Sequence, residues 1–302
     1  MRWLACGCAT LLVACNGPTA SRTGAPSQPI RGEIERNRLQ VGEEIVLRRV
    51  FGDDTTQLWE SHDPDPNLRG LREVGAIIAI DSSGARSVHC SAIAITRSVI
   101  VTAAHCFLSS DCNGESNDAH AGTFEFVQGD DAKHSQARYS ISATSCYSSN
   151  PCEDIALARL DHLLPFDPAT DVSLGDVDPS REIIKLGYGA SLIDGNASGT
   201  AVSAGQLEQA EVSLDRLDTA WYRYHGSNAD GTSVEVCGGD SGGPGLQDPG
   251  ILIGVTSSGS GTTHTHQYVC RPLGTDTRVA AYNAWLQKTI PTMGTLTGNT
   301  CP

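Results

Sequence analysis

Residues 74–80 read VGAIIAI and residues 88–95 read VHCSAIAI, with the turn formers Asp81-Ser82-Ser83-Gly84 just after the first run. Short apolar runs rich in β-branched side chains and bounded by turn residues predict strands. The same texture continues through VIVTAA (99–104), TFEFVQ (123–128), IALARL (155–160), EIIKLG (182–187) and ILIGVTS (251–257). Many short strands without intervening helical periodicity predict an all-β sandwich or barrel. One segment departs from this pattern. In RVAAYNAWLQK (278–288), Val279, Tyr282, Trp285 and Leu286 fall on one helical face, which predicts a C-terminal helix packed on the barrel. No internal repeat is evident.

Upstream of Val74 the composition changes. Residues 33–72 are charged and poorly periodic, and residues 16–32, NGPTASRTGAPSQPIRG, offer almost nothing to bury, so they read as a flexible tether. Arg2 followed by the apolar stretch Trp3–Ala14 has the order of an export signal. That stretch is too short to span a bilayer as a stable helix. Leu12-Val13-Ala14-Cys15 resembles the lipobox of bacterial lipoproteins, in which the cysteine is lipidated and becomes the mature N-terminus. An ordinary signal peptide cut nearby is the alternative. The expected organisation is therefore a signal peptide over 1–14, a tether or propeptide over 15–49, and the folded domain over 50–302.

The whole chain bounds the function. Its 302 residues, 39% apolar, bury one or two cores, which excludes a disordered protein. Twenty-one Lys+Arg against 35 Asp+Glu leave −14, which argues against nucleic acid or an anionic membrane held by charge. Lipid alone would hold the chain at a membrane. Eleven cysteines, 32 glycines and two methionines fit an oxidising compartment rather than a reducing cytoplasm. The sequence sets no oligomeric state.

Three segments carry chemistry: TAAHC (102–106), EDIALARL (153–160) and CGGDSGGP (237–244). A hydroxyl is a poor nucleophile at neutral pH. It needs an imidazole to take its proton, and the imidazole needs a carboxylate to fix its tautomer and stabilise its cation. His105, Asp154 and Ser241 supply these groups in the order His, Asp, Ser. Glycines around Ser241 allow close approach of substrate, and the Gly239 and Ser241 amides could form an oxyanion hole. Gly239-Asp240-Ser241-Gly242-Gly243 also fits the G-x-S-x-G elbow of α/β-hydrolases. That fold needs alternating strands and helices and would recruit His264 or His266, so the elbow reading loses. Zinc is disfavoured because the mature chain has no C-x-x-C pair, and His264-Thr265-His266 reads as a solvated loop. Neither a metal nor an organic cofactor is expected.

The three motifs resemble those of the trypsin-like (chymotrypsin-fold) serine proteases. Cys90 and Cys106 flank the first motif, Gly187-Tyr188-Gly189 is similar to the family's Gly-aromatic-Gly turn, and Trp285 sits in the matching C-terminal helix. The resemblance spans roughly Val74 to Ile290. It implies two antiparallel Greek-key β-barrels with the active site between them, and hydrolysis of protein or peptide substrates with His105, Asp154 and Ser241 as the triad. The alternative is a catalytically inactive homologue that serves as a surface-binding lipoprotein.

The resemblance carries further expectations. Glu235 takes the place at the base of the pocket for the side chain preceding the cleaved bond, and Gly259 and Gly274 match its wall. A carboxylate there implies an open pocket that prefers Arg or Lys. Asp276, in place of a usual Tyr, is expected near the same pocket, and Ser258 replaces a usual Trp. Asp240 is the residue that pairs in the family with a new N-terminal ammonium. The nearest candidate start is Val50-Phe51-Gly52-Asp53 after Arg48-Arg49, with Ile30-Arg31-Gly32-Glu33 weaker. No Cys lies between residues 16 and 89, so cleavage after Arg49 would release a soluble protease from its anchor.

Setting aside Cys6, Cys8 and Cys15 leaves eight cysteines for bridges. Cys90–Cys106 and Cys237–Cys270 are implied by the resemblance. Cys146 and Cys152 are close enough in sequence for a local bridge just before Asp154, and Cys112 and Cys301 have no assigned partner.

Overall fold

In the computed structural model the described residues run from 71 to 301, apart from 109–122, 149, 151, 193–200, 203, 228–232, 235, 248–249, 261–269 and 272. The apolar runs 74–80 and 88–95 are strands. β1 (Val74–Ile80), β2 (Arg86–Thr96), β3 (Val99–Thr102), β4 (Thr123–Gln128), β5 (Ala137–Cys146) and β6 (Ala156–Leu160) join in the order β5-β4-β1-β2-β3-β6. A β5–β6 pairing closes the ring.

The second half repeats the plan. Its strands are β7 (Ser173–Leu174), β8 (Ile183–Gly187), β9 (Ser191–Leu192), β10 (Ala201–Val202), β11 (Glu208–Leu217), β12 (Trp221–Ser227), β13 (Ser233–Val234), β14 (Val236–Cys237), β15 (Pro244–Leu246), β16 (Ile251–Ser260), β17 (Cys270–Arg271) and β18 (Leu273–Arg278). Six of them run β11-β8-β15-β16-β18-β12, closed by β11–β12. Taken in chain order, the six strands of each ring follow the same circuit, with a Greek-key return of the fourth strand beside the first. Closure removes the unpaired edges that an open sheet would expose.

Alternation explains why β1 reads as an almost unbroken apolar run. Val74, Ala76 and Ile78 join one buried cluster, which continues into the second barrel through Leu186, Tyr222 and Val255. Ile77 points the other way, into a cluster with Phe126, Ala156 and Leu160. A strand buried on both faces has no position left for a polar residue.

Beyond β18 the chain turns into a 3-10 turn (Val279–Tyr282) and helix α1 (Asn283–Thr289). Val279, Tyr282 and Leu286 are buried as the periodicity predicts, and Trp285 packs partly buried against them. The chain then returns to the first barrel, where β19 (Gly298–Asn299) pairs parallel with β5. This return corrects one expectation. Cys146 is bonded to Cys301, not to Cys152. The pairing of Asn299 with Thr144 brings the C-terminal cysteine beside Cys146, which the local spacing of 146 and 152 could not reveal. Cys152 is oxidised as well, in a different bridge. Among the described residues no helix is long and apolar enough to cross a membrane.

Candidate active site

His105 lies in a 3-10 turn (Ala104–Cys106) directly after β3, and the Cys90–Cys106 disulfide ties that turn to β2. Asp154 stands just before β6, which pairs with β3, so strand pairing carries the carboxylate to the imidazole. The contact is twofold: the His105 backbone N–H donates to Asp154 Oδ1 at 2.8 Å, and His105 Nδ1 meets Oδ2 at 2.7 Å. Ser257 Oγ also donates to Oδ2, at 2.6 Å. Asp154 is buried, so three donors replace its lost hydration. A carboxylate can only accept from Nδ1–H, which leaves Nε2 as the nitrogen that carries the lone pair.

The loop bearing Ser241 is packed against this turn. Gly242 has φ +79°, and a Cβ there would overlap Thr102 Oγ1 and approach the Ala103 amide nitrogen at 2.9 Å. Only glycine satisfies both conditions. The loop is held by its backbone: Gly242 N–H donates to the Thr256 carbonyl at 2.6 Å and Gly243 N–H to the Asp240 carbonyl at 2.9 Å. Buried Ser91 acts as a second anchor. Its N–H donates to the Ser241 carbonyl at 2.7 Å, its hydroxyl donates to the Gly239 carbonyl at 2.8 Å, and that hydroxyl accepts from the Tyr188 N–H at 2.9 Å. Among the described residues neither the Gly239 nor the Ser241 amide donates to a protein acceptor, and the Ser241 hydroxyl makes no hydrogen bond. Two unspent amides beside a hydroxyl suit a developing oxyanion. Gly239 has φ +103° and lies so close to Gly189 that a Cβ would sit 3.0 Å from its Cα.

Asp240 points away from Ser241 into the second barrel. Its buried carboxylate accepts the Gly189 N–H at 2.9 Å and the Cys237 N–H at 3.0 Å. Burial pushes its pKa up to about 8, against the two amides and the positive charge of Lys185. The candidate N-termini at Val50 and Ile30 lie outside the described residues, as do Cys15, Cys112, Glu235, His264 and His266.

The pocket glycines are placed, with a surprise. Gly259 and Gly274 face each other across β16 and β18, and Gly274 faces Tyr224 across β12. The resemblance implied open space over them; among the described residues the Tyr224 ring packs on Gly274 and the Arg271 stem on Gly259. Asp276 is fully buried, bonded to the equally buried Lys185 and to the Tyr222 hydroxyl at 2.5 Å. Cys237 is disulfide-bonded, and its backbone pairs with that of Cys270. Cys90, His105 and Cys106 gather three donor atoms within 4.8 Å, but both sulfurs are spent in their mutual disulfide and cannot act as thiolate ligands.

Ser91, Ser257, Lys185 and Tyr224 escaped the sequence reading. Only Lys185 carried a signal: a lone lysine inside the apolar run EIIKLG marks a buried charge that needs a partner.

The sequence profile of the trypsin family, described as Trypsin, matches residues 72–286. The chain belongs to the trypsin family. Solved structures agree on the fold. HL collagenase matches with a TM-score of 0.54 at 20% identity, over 73% of this chain and 94% of that one. Human heparin binding protein matches with a TM-score of 0.51 at 20% identity, over 74% of this chain and 94% of that one. No curated protein sequence matches. Trypsin-family membership makes this a domain of the serine protease class, whose members act on protein or peptide substrates.

Proposed function

We propose that this trypsin-family chain is an active serine endopeptidase. Ser241 Oγ attacks the substrate carbonyl while His105 Nε2 takes its proton, and Asp154 holds the imidazole and stabilises its cation. The Gly239 and Ser241 amides receive the oxyanion. His105 then protonates the leaving amine, and water repeats the sequence to free the enzyme. No metal or organic cofactor takes part. The observation that carries this reading is the buried Asp154 carboxylate, gripped by three donors and bonded to His105 beside the Ser241 loop. Covalent labelling by a fluorophosphonate tests it. The expected result is labelling at Ser241 that disappears in Ser241→Ala, with turnover lower by about 10⁴-fold or more. A folded protein that stays unlabelled after cleavage at Arg49 would favour the inactive-homologue reading.

The N-terminal sequence supports export, a lipid on Cys15 and a zymogen whose cleavage after Arg49 frees the domain. N-terminal sequencing of active material checks this: a start at Val50 is expected, and an active form still beginning at Cys15 counts against release. On specificity, a carboxylate at Glu235 would favour Arg or Lys, whereas the described wall argues for a shorter side chain.

A further inference from the structure

Tyr224, Gly274 and Gly259 stand in one row across β12, β18 and β16. Directly opposed residues of antiparallel strands share a face, so all three look the same way. The two glycines are the residues matching the wall of the pocket for the side chain that precedes the cleaved bond. Glycine on such a wall ordinarily leaves room for substrate. Here the room is filled: a Cβ on Gly274 would overlap the Tyr224 ring, and one on Gly259 would meet the Arg271 Cβ at 2.8 Å and its Cδ at 3.3 Å. Tyr224 is 1% exposed, so its ring belongs to the packed interior rather than to the rim of a cavity.

The ring is also clamped. The Lys185 ammonium lies 4.9 Å from its centroid, and Lys185 is bonded to Asp276. The Tyr222 hydroxyl donates to the same Asp276 oxygen, and the Tyr222 ring centroid is 6.2 Å from that of Tyr224. Swinging Tyr224 aside would uncover a buried ion pair and open a void, both of which oppose the movement.

We infer that Tyr224 fills the specificity pocket along its Gly274 wall and limits the residue before the cleaved bond to small side chains such as Ala, Ser or Val. This rests on the endopeptidase reading above. The charges agree with it. Asp276 Oδ2 is engaged by Lys185 and Tyr222, and the whole residue is buried away from a substrate Arg or Lys. The buried ammonium beneath the ring opposes a second cation.

The test uses the protein in its active form and peptide amides that differ only in the residue before the cleaved bond: Ala, Val, Phe or Arg. Fluorophosphonate labelling is read on the same samples. The expected wild-type profile favours Ala and Val over Phe and Arg by about tenfold or more in kcat/KM, the scale on which pockets reject surplus methylenes. In Tyr224→Ala, which stays labelled, Phe or Arg amides gain about tenfold; Tyr224→Phe keeps the wild-type profile. A labelled wild-type enzyme that cleaves after Arg or Phe as fast as after Ala overturns the inference and leaves the endopeptidase reading intact. So does a labelled Tyr224→Ala variant with an unchanged profile. A wild type that takes no label overturns both. The wild-type profile needs no variant, so the inference remains falsifiable even where Tyr224→Ala fails to fold.

Discussion

Replacing Cys301 by Ser should destabilise the domain far more than a change at the penultimate residue would suggest. Cys301 closes a loop of 155 residues back to Cys146. In the chain-entropy model a loop of that length contributes about 5 kcal/mol, whereas a local bridge from Cys146 to Cys152 would contribute about 2 kcal/mol. Measured losses of native bridges are commonly about 2–5 kcal/mol, so the expectation is about 3–5 kcal/mol. For a domain of this size that lowers Tm by about 10 °C. Other contacts of the returning tail weaken with the bridge, including the pairing of β19 with β5 and the Thr300 hydroxyl donated to the Thr144 carbonyl at 2.6 Å. Urea unfolding followed by tryptophan fluorescence gives the stability, and a non-reducing peptide map gives the connectivity. A loss under about 1 kcal/mol, or a map joining Cys146 to Cys152, would show that no long-range bridge from residue 301 holds the domain. Activity at 25 °C should change little, because Asp154 is held by His105 and Ser257 rather than by the tail.

Other expectations concern the site itself. Ser257→Ala removes one of three donors to Asp154 and should lower kcat about tenfold with KM nearly unchanged, read by steady-state kinetics. Gly242→Ala forces a side chain into Thr102 and Ala103 at φ +79°; displacing the nucleophile loop should cost about 100-fold in turnover, measured against fluorophosphonate labelling of the same variant. Asp240 sets a pH dependence. Its folded pKa of about 8 lies above the ordinary carboxylate value, so between roughly pH 4 and 8 the folded single chain binds more protons than the unfolded one. Its contribution to stability is therefore full at acidic pH and lost as pH rises through about 8. Asp240→Asn should flatten that slope in a series of urea titrations; an unchanged slope would show that Asp240 is already ionised in the single chain.

The parts legible in sequence were those with local signatures. VGAIIAI, VHCSAIAI and VIVTAA became β1 to β3 because a doubly buried strand writes its own pattern. Tyr282 and Leu286 fell on the buried side of the terminal helix because helical spacing is equally local. His105 and Asp154 were found by motif and are joined in space by the pairing of β3 with β6. Connectivity over distance was not legible. Cys301 finds Cys146 only because the chain returns to the first barrel after α1, and nothing near residue 301 announces that. Ser257 sits among serines and threonines of the same kind, so its bond to Asp154 follows from the register of β16 alone. Two glycines implied an open pocket, but what packs on Gly274 is set by strand register, which brings Tyr224 opposite it.

The central claim is that His105, Asp154 and Ser241 act as one catalytic unit. Labelling with a small fluorophosphonate, located by peptide mapping, tests it most directly. One label is expected on Ser241 in the wild type, a strong loss of labelling in His105→Ala, and none in Ser241→Ala. A folded and activated wild-type protein that takes no label, or takes it at another residue, would contradict it.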